Sequence, residues 1–172
     1  MKNIITTYRK YFMVSLAVYC ISFVTGAFLS KFLSFSYTEK EQRFVDLFLH
    51  NYTLGIKIMI FGWISLGVVS IIYLGYNGIF LGAFSFAIIR NQGFKPVLTG
   101  IMPHGIIEVI AFLLFATIGF ESLRYISILK LNSKSEQELT YKVEIIKLVS
   151  IFLFASILLA IAAWIESSIS HV

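Results

Sequence analysis

Cysteine, proline and charge are all scarce in this chain of 172 residues. Its one cysteine, Cys20, cannot close an intrachain disulfide, which excludes a small disulfide-framed fold. Two prolines exclude a collagen-like or proline-rich repeat. Charged residues make up 13% of the chain, against about 25% in an ordinary soluble domain. That is too little to cover a compact soluble surface, and the 58% of hydrophobic residues excludes disorder. What is there is an apolar chain with a mean hydropathy of +0.86. It reads as one all-α transmembrane domain over residues 1–172, resident in the cell membrane. The net charge of +5 does not point to nucleic acid, because the 14 Lys and Arg flank apolar runs instead of forming a stripe. Membrane lipid headgroups are their expected partners.

Five helical spans are expected, at about 11–31, 57–75, 79–94, 97–120 and 145–165. The run from Tyr11 to Ser30 carries no charge, and about 20 residues cross the hydrocarbon core as a helix. It lacks a small-residue cleavage site, so it reads as a span and not as a signal peptide. Ser22, Gly26 and Ser30 form a small-residue stripe that admits another helix closely. The uncharged run from Ile58 to Ile89 has 32 residues, or about 48 Å as one helix. Gly75-Tyr76-Asn77-Gly78 supplies the expected turn between two spans; one strongly tilted helix is the alternative. Gly78 and Gly82 prepare the third span for packing on a neighbour. Two polar segments read as short connecting helices: one with capping-box spacing at Thr38 and Glu41, continuing through Phe44, Leu47 and Phe48 on the membrane surface; the other from Glu121 to Lys147, with Ser135 and Glu138 at the same spacing. With five spans and a cytoplasmic N-terminus, eight Lys and Arg fall inside and six outside.

Met102-Pro103-His104-Gly105-Ile106-Ile107-Glu108 is the most informative segment. Pro103 suits the first turn of a helix. His104 and Glu108 then lie one turn apart on one face. An ionisable carboxyl among Ile, Val, Ala, Phe and Leu must face protein or a cavity, with Arg90 or Lys95 as candidate counter-charges. Two ligands do not make a zinc site, and no metalloprotease, nucleophile-elbow or phosphate-loop motif is present. No metal and no cofactor are expected.

These residues resemble the stage II sporulation protein M family of polytopic membrane proteins. The resemblance rests on the Asn51 region, on Gly75 to Gly82, and above all on Pro103-His104-Gly105 with Glu108 and Ala111. It implies an all-helical membrane protein without established catalytic activity. In spore formers it implies a part in engulfment, placing peptidoglycan-degrading proteins at the septal membrane. Similar small proteins accompany gene sets for circular bacteriocins, where maturation or export of the peptide is implied.

The function expected is therefore a noncatalytic assembly or localisation factor. Its partners would be other membrane proteins or a hydrophobic peptide, and the small-residue stripes are compatible with an oligomer. The expected partner- or ligand-binding residues are Asn77, Gly78, Arg90, Pro103, His104, Gly105 and Glu108. Two alternatives stand beside it. One is an intramembrane hydrolase or peptide ligase using His104 and Glu108. The other is a permease-like exporter subunit with a polar cavity lined by Asn77, His104 and Glu108, which the expected turn at Gly75–Gly78 would hold apart at opposite ends of the bundle.

Overall fold

Within a bilayer a backbone must satisfy its own hydrogen bonds, and an uninterrupted helix does so locally. The computed structural model describes residues 2–32, 43–123, 125 and 134–169, with side chains from residue 8 to 32, 43 to 123, at 125 and from 143 to 169. Among these every regular element is helical: α1 (Lys2–Leu29), α2 (Phe44–Ile64), α3 (Val68–Gln92), a π turn (Val97–Ile101) that runs into α4 (Met102–Gly119), and α5 (Lys134–Ile169). Five stretches are long and apolar enough to cross a membrane, Tyr8–Leu29, Phe44–Ile64, Val68–Gln92, Val97–Gly119 and Val143–Ile169. Large apolar side chains such as Ile21, Phe28, Ile64, Ile72 and Trp164 point outward, as a lipid solvent permits.

The turn between α2 and α3 lies at Ser65-Leu66-Gly67, ten residues before the expected one. It is a Schellman closure: Gly67 N–H donates to the Gly62 carbonyl at 2.7 Å, with Leu66 at φ 56° and Gly67 at φ 91°. Ser65 joins the two helices, its hydroxyl donating to the Phe61 carbonyl at 2.6 Å and accepting from the Val69 N–H at 2.9 Å. The glycines at 75 and 78 do not turn the chain because α3 spends them on contact with α1. A Cβ at Gly78 would lie 3.0 Å from the Tyr19 carbonyl oxygen, and one at Gly26 or Gly82 would strike the Ile79 or Phe23 carbonyl. The small-residue stripes of α1 and α3 are thus each other's partners.

Shifting the turn also changes the second span. The segment from Phe44 to Phe48, expected as a surface helix, opens α2; Thr38 and Glu41 lie outside the described residues. Asp46, His50, Asn51 and Lys57 on one side of α2 give it the lowest hydropathy of the five spans, which is why it reads as an interfacial helix. Ser135 and Glu138 fall within α5, which begins at Lys134, while their side chains lie outside those described.

α4 is the central helix. Ala111, Phe112, Leu113, Phe115 and Ala116 are buried against Ile58 of α2, Leu74 of α3, Tyr19 of α1, and Ala155 and Leu159 of α5. Pro103 stands in the first turn of α4, as expected, but the helical path does not begin there. Proline has no N–H for the preceding turn, and the chain enters through the π turn, with Met102 N–H reaching the Val97 carbonyl. Glu108 is therefore eleven residues inside the span, about 16 Å along its axis.

Candidate functional site

α2 and α3 meet at the Ser65–Gly67 turn and are apart at their other ends, leaving a cavity of about 880 Å³. One wall carries Asp46, His50, Thr53 and Lys57 of α2, the other Tyr73, Tyr76, Phe80 and Phe84 of α3. Both sets recur at three and four residues, so each is one stripe of a helix. The back wall is the face of α4 that carries His104, Gly105 and Glu108, and Tyr19 of α1 reaches it as well. The cavity opens toward the end of the bundle where α2 and α4 begin. It is also open sideways, since Leu49, Tyr76 and Phe80 at its margins are more than half exposed. Toward the α2–α3 turn the bundle closes on Ile58, Leu74 and Phe115, none of which has any exposed surface.

Three pairs of polar groups link neighbouring helices around the cavity. The Asn51 amide donates to Glu108 Oε1. The Tyr19 hydroxyl donates to Asn77 Oδ1 at 2.9 Å. His104 Nε2 lies 3.9 Å from Glu166 Oε1 of α5. His104 and Glu108 share a face as expected, yet each is committed to a different neighbour. Such links stabilise polar groups that would be costly in hydrocarbon and help fix the register of all five helices.

The expected site residues divide into three groups. Asn77, His104, Gly105 and Glu108 line the one cavity. Gly78 lies on the opposite side of α3, against Tyr19 and Ser22 of α1. Arg90 donates from Nη2 to the Ser30 carbonyl at 3.0 Å, tying α3 to the C-terminal end of α1, and Pro103 is exposed at the start of α4. Neither Arg90 nor Lys95 balances Glu108; the Asn51 amide takes that place. Asn77 and His104 line the same cavity because α3 is one span and Asn77 sits nine residues into it, about 14 Å along the axis; the separation expected from a turn at Gly75–Gly78 does not occur. Tyr19, Asn51, Lys57 and Glu166 were absent from the expected site. Asn51 and Lys57 carry a signal, as polar residues in an apolar helix, once α2 is placed over Phe44–Ile64. Among the described residues no group of three His, Cys, Asp or Glu is placed to hold a metal.

Comparison with known proteins agrees with the family suggested by the motifs. The model of the stage II sporulation protein M family matches residues 13–171. The chain belongs to that family, and it is a multi-pass membrane protein. An uncharacterized protein of Methanocaldococcus jannaschii is 35% identical over 115 residues, which cover 64% of this chain and 62% of that relative. The matched stretch is thus less than two thirds of the relative's length. No solved structure matches. Neither match supports the association with circular bacteriocin gene sets.

Proposed function

We propose that this member of the stage II sporulation protein M family is a noncatalytic membrane factor that receives a transmembrane segment or hydrophobic peptide of a partner in the cleft between α2 and α3. The observation that carries the reading is the cavity itself: open sideways toward lipid, walled by two helical stripes, and backed by polar groups at mid-span. Polar groups in such a cleft give a docking helix register, since a wrong register leaves them unpaired. Localisation of cell-envelope proteins fits a chain of this kind. Asn77, His104, Gly105 and Glu108 are the contact residues, with Thr53, Tyr76 and Phe84 on the walls.

The test is a photo-crosslinking amino acid at position 53 or 84 in cells. Adducts to a discrete membrane partner, absent when the same group is placed at lipid-facing Ile161, are the expected outcome. Partner co-purification should fall in Glu108→Gln and His104→Ala; retained binding and cellular function in both would remove the polar cluster from the reading.

A permease-like role has one observation in its favour, the single cavity lined by Asn77, His104 and Glu108. The sealed apolar layer of Ile58, Leu74 and Phe115 opposes it. Solute or proton flux in reconstituted vesicles would revive it. A cytoplasmic N-terminus is supported by the Lys and Arg count with the spans as folded: eight flank the N-terminal side and five the other, and Lys57 belongs to neither.

A further inference from the structure

Among the described residues, Lys57 is the one Lys or Arg that lies well within a span instead of flanking it. It is thirteen residues from the start of α2 and seven from its end, about 20 Å and 10 Å along the axis. A lysine at such a depth ordinarily snorkels to the nearer interface. Here the helix opposes that route. The Cα–Cβ bonds of a helix tilt toward its N-terminus, so the side chain leans away from the near end at Ile64 and toward the cavity, whose wall it forms. Among the described residues no carboxylate of the chain answers it. Asp46 is paired with Arg43 at 3.0 Å, Glu108 with Asn51, Glu166 faces His104, Glu144 is held by Lys147 and Tyr8 beside the start of α1, and Glu121 is buried just beyond α4 and does not line the cavity.

We propose that the occupant of the cleft is a partner's transmembrane helix bearing an Asp or Glu near mid-span, whose carboxylate pairs with Lys57. The inference rests on the docking reading above and adds the chemistry of the partner. Two arguments select a helix. The stripes from Asp46 to Lys57 and from Tyr73 to Phe84 each run eleven residues, so the cleft is about 16 Å long, three turns of a helix laid between its walls. The cation also lies too deep, and leans the wrong way, for the phosphate of the nearer lipid headgroups. A cation in hydrocarbon is costly alone, and so is a carboxylate; pairing them offsets part of both costs. The same pairing gives specificity, because an uncharged helix of equal shape leaves Lys57 unanswered.

The test uses the full chain in phosphatidylcholine vesicles and synthetic Leu/Ala transmembrane peptides with Glu, Gln or Lys at the central position, association being read by energy transfer. The Glu peptide should bind about tenfold more tightly than the Gln peptide. Lys57→Gln should erase that difference, and Lys57→Glu should transfer the preference to the Lys peptide. Lys57 is exposed within the cleft, so neither variant should alter elution of the folded protein in detergent. Equal binding of the Glu and Gln peptides overturns the carboxylate while leaving the docking cleft in place, provided Thr53→Trp weakens both. Binding of no peptide overturns both readings. Loss of the Glu preference when phosphatidylglycerol is added assigns Lys57 to a lipid phosphate and overturns the proposal.

Discussion

α3 has two faces that do opposite things. On one, Gly78 and Gly82 bring its backbone against that of α1, where a side chain as small as alanine's would meet a carbonyl. On the other, Tyr73, Tyr76, Phe80 and Phe84 stand off from α2 and wall a cavity of about 880 Å³. Both faces are equally at home in lipid, so hydrophobicity does not decide between them. Side-chain volume does: in a bilayer, helices associate where backbones can approach and remain apart where bulky groups prop them. One helix therefore serves as a fixed joint toward α1 and as a wall toward whatever enters the cleft. Substitutions should separate these roles.

The largest effect is expected on the closed face. Gly26→Leu drives a branched side chain into the Ile79 carbonyl, and neither backbone can yield without parting the two helices. A loss of about 3–5 kcal/mol, or failure to accumulate in the membrane, is expected from overpacking this severe. Denaturant titration in detergent measures it. A loss under about 1 kcal/mol would mean that the α1–α3 joint is looser than the structure has it.

Next comes the polar layer between the faces. Asn51→Leu removes the donor to Glu108 and leaves a carboxyl group in an apolar wall, so a loss of about 1–3 kcal/mol is expected. Glu108→Gln keeps a carbonyl oxygen to accept from Asn51 and should lose under about 1 kcal/mol. The contrast between the two, read in one titration series, distinguishes a hydrogen bond from mere volume.

The α2–α3 turn should move the other way. Leu66 holds φ 56°, a conformation that costs a branched side chain about 1–2 kcal/mol, and its side chain is partly exposed. Leu66→Gly relieves that strain at some cost in unfolded-state entropy, so a net gain of about 0.5–1 kcal/mol is expected. A loss would show that Leu66 packs against something more valuable than its backbone strain.

This turn also marks where the sequence was and was not legible. Five spans, the stripes of α1 and α3, and the segment from Pro103 to Glu108 could be read directly, because charge-free length and small-residue spacing act locally. The turn could not. Gly75, Asn77 and Gly78 have the composition of a turn, yet two of these glycines answer α1 and the asparagine answers Tyr19, all distant in sequence. The true turn uses a leucine where glycine is usual. That one displacement carried the rest with it: Lys57 counted as a flanking charge, the start of α2 looked like a surface helix, and Asn77 stood at the wrong end of the bundle. A stripe of Asp46, His50, Thr53 and Lys57 is polar because it faces a cavity, and nothing local distinguishes that from facing water.

The smallest effect on stability should come from the open face. Tyr76 is 71% exposed and lies two residues before Gly78, on the other side of the same helix. Tyr76→Leu removes a hydroxyl from the cleft wall and leaves every contact with α1 in place, so stability should stay within about 0.5 kcal/mol. Gly78→Leu, in the same titration, should cost several-fold more, since its Cβ alone would lie 3.0 Å from both the Tyr19 carbonyl oxygen and Ser22 Cβ. Crosslinking from position 53 should reverse that order. Tyr76→Leu should change the yield or identity of the adduct, because its ring edges the cleft, whereas any Gly78 variant that still folds should leave the adduct unchanged. If Tyr76→Leu alters neither stability nor crosslinking, the wall on the α3 side is passive, and recognition of the partner rests on α2 and α4 alone.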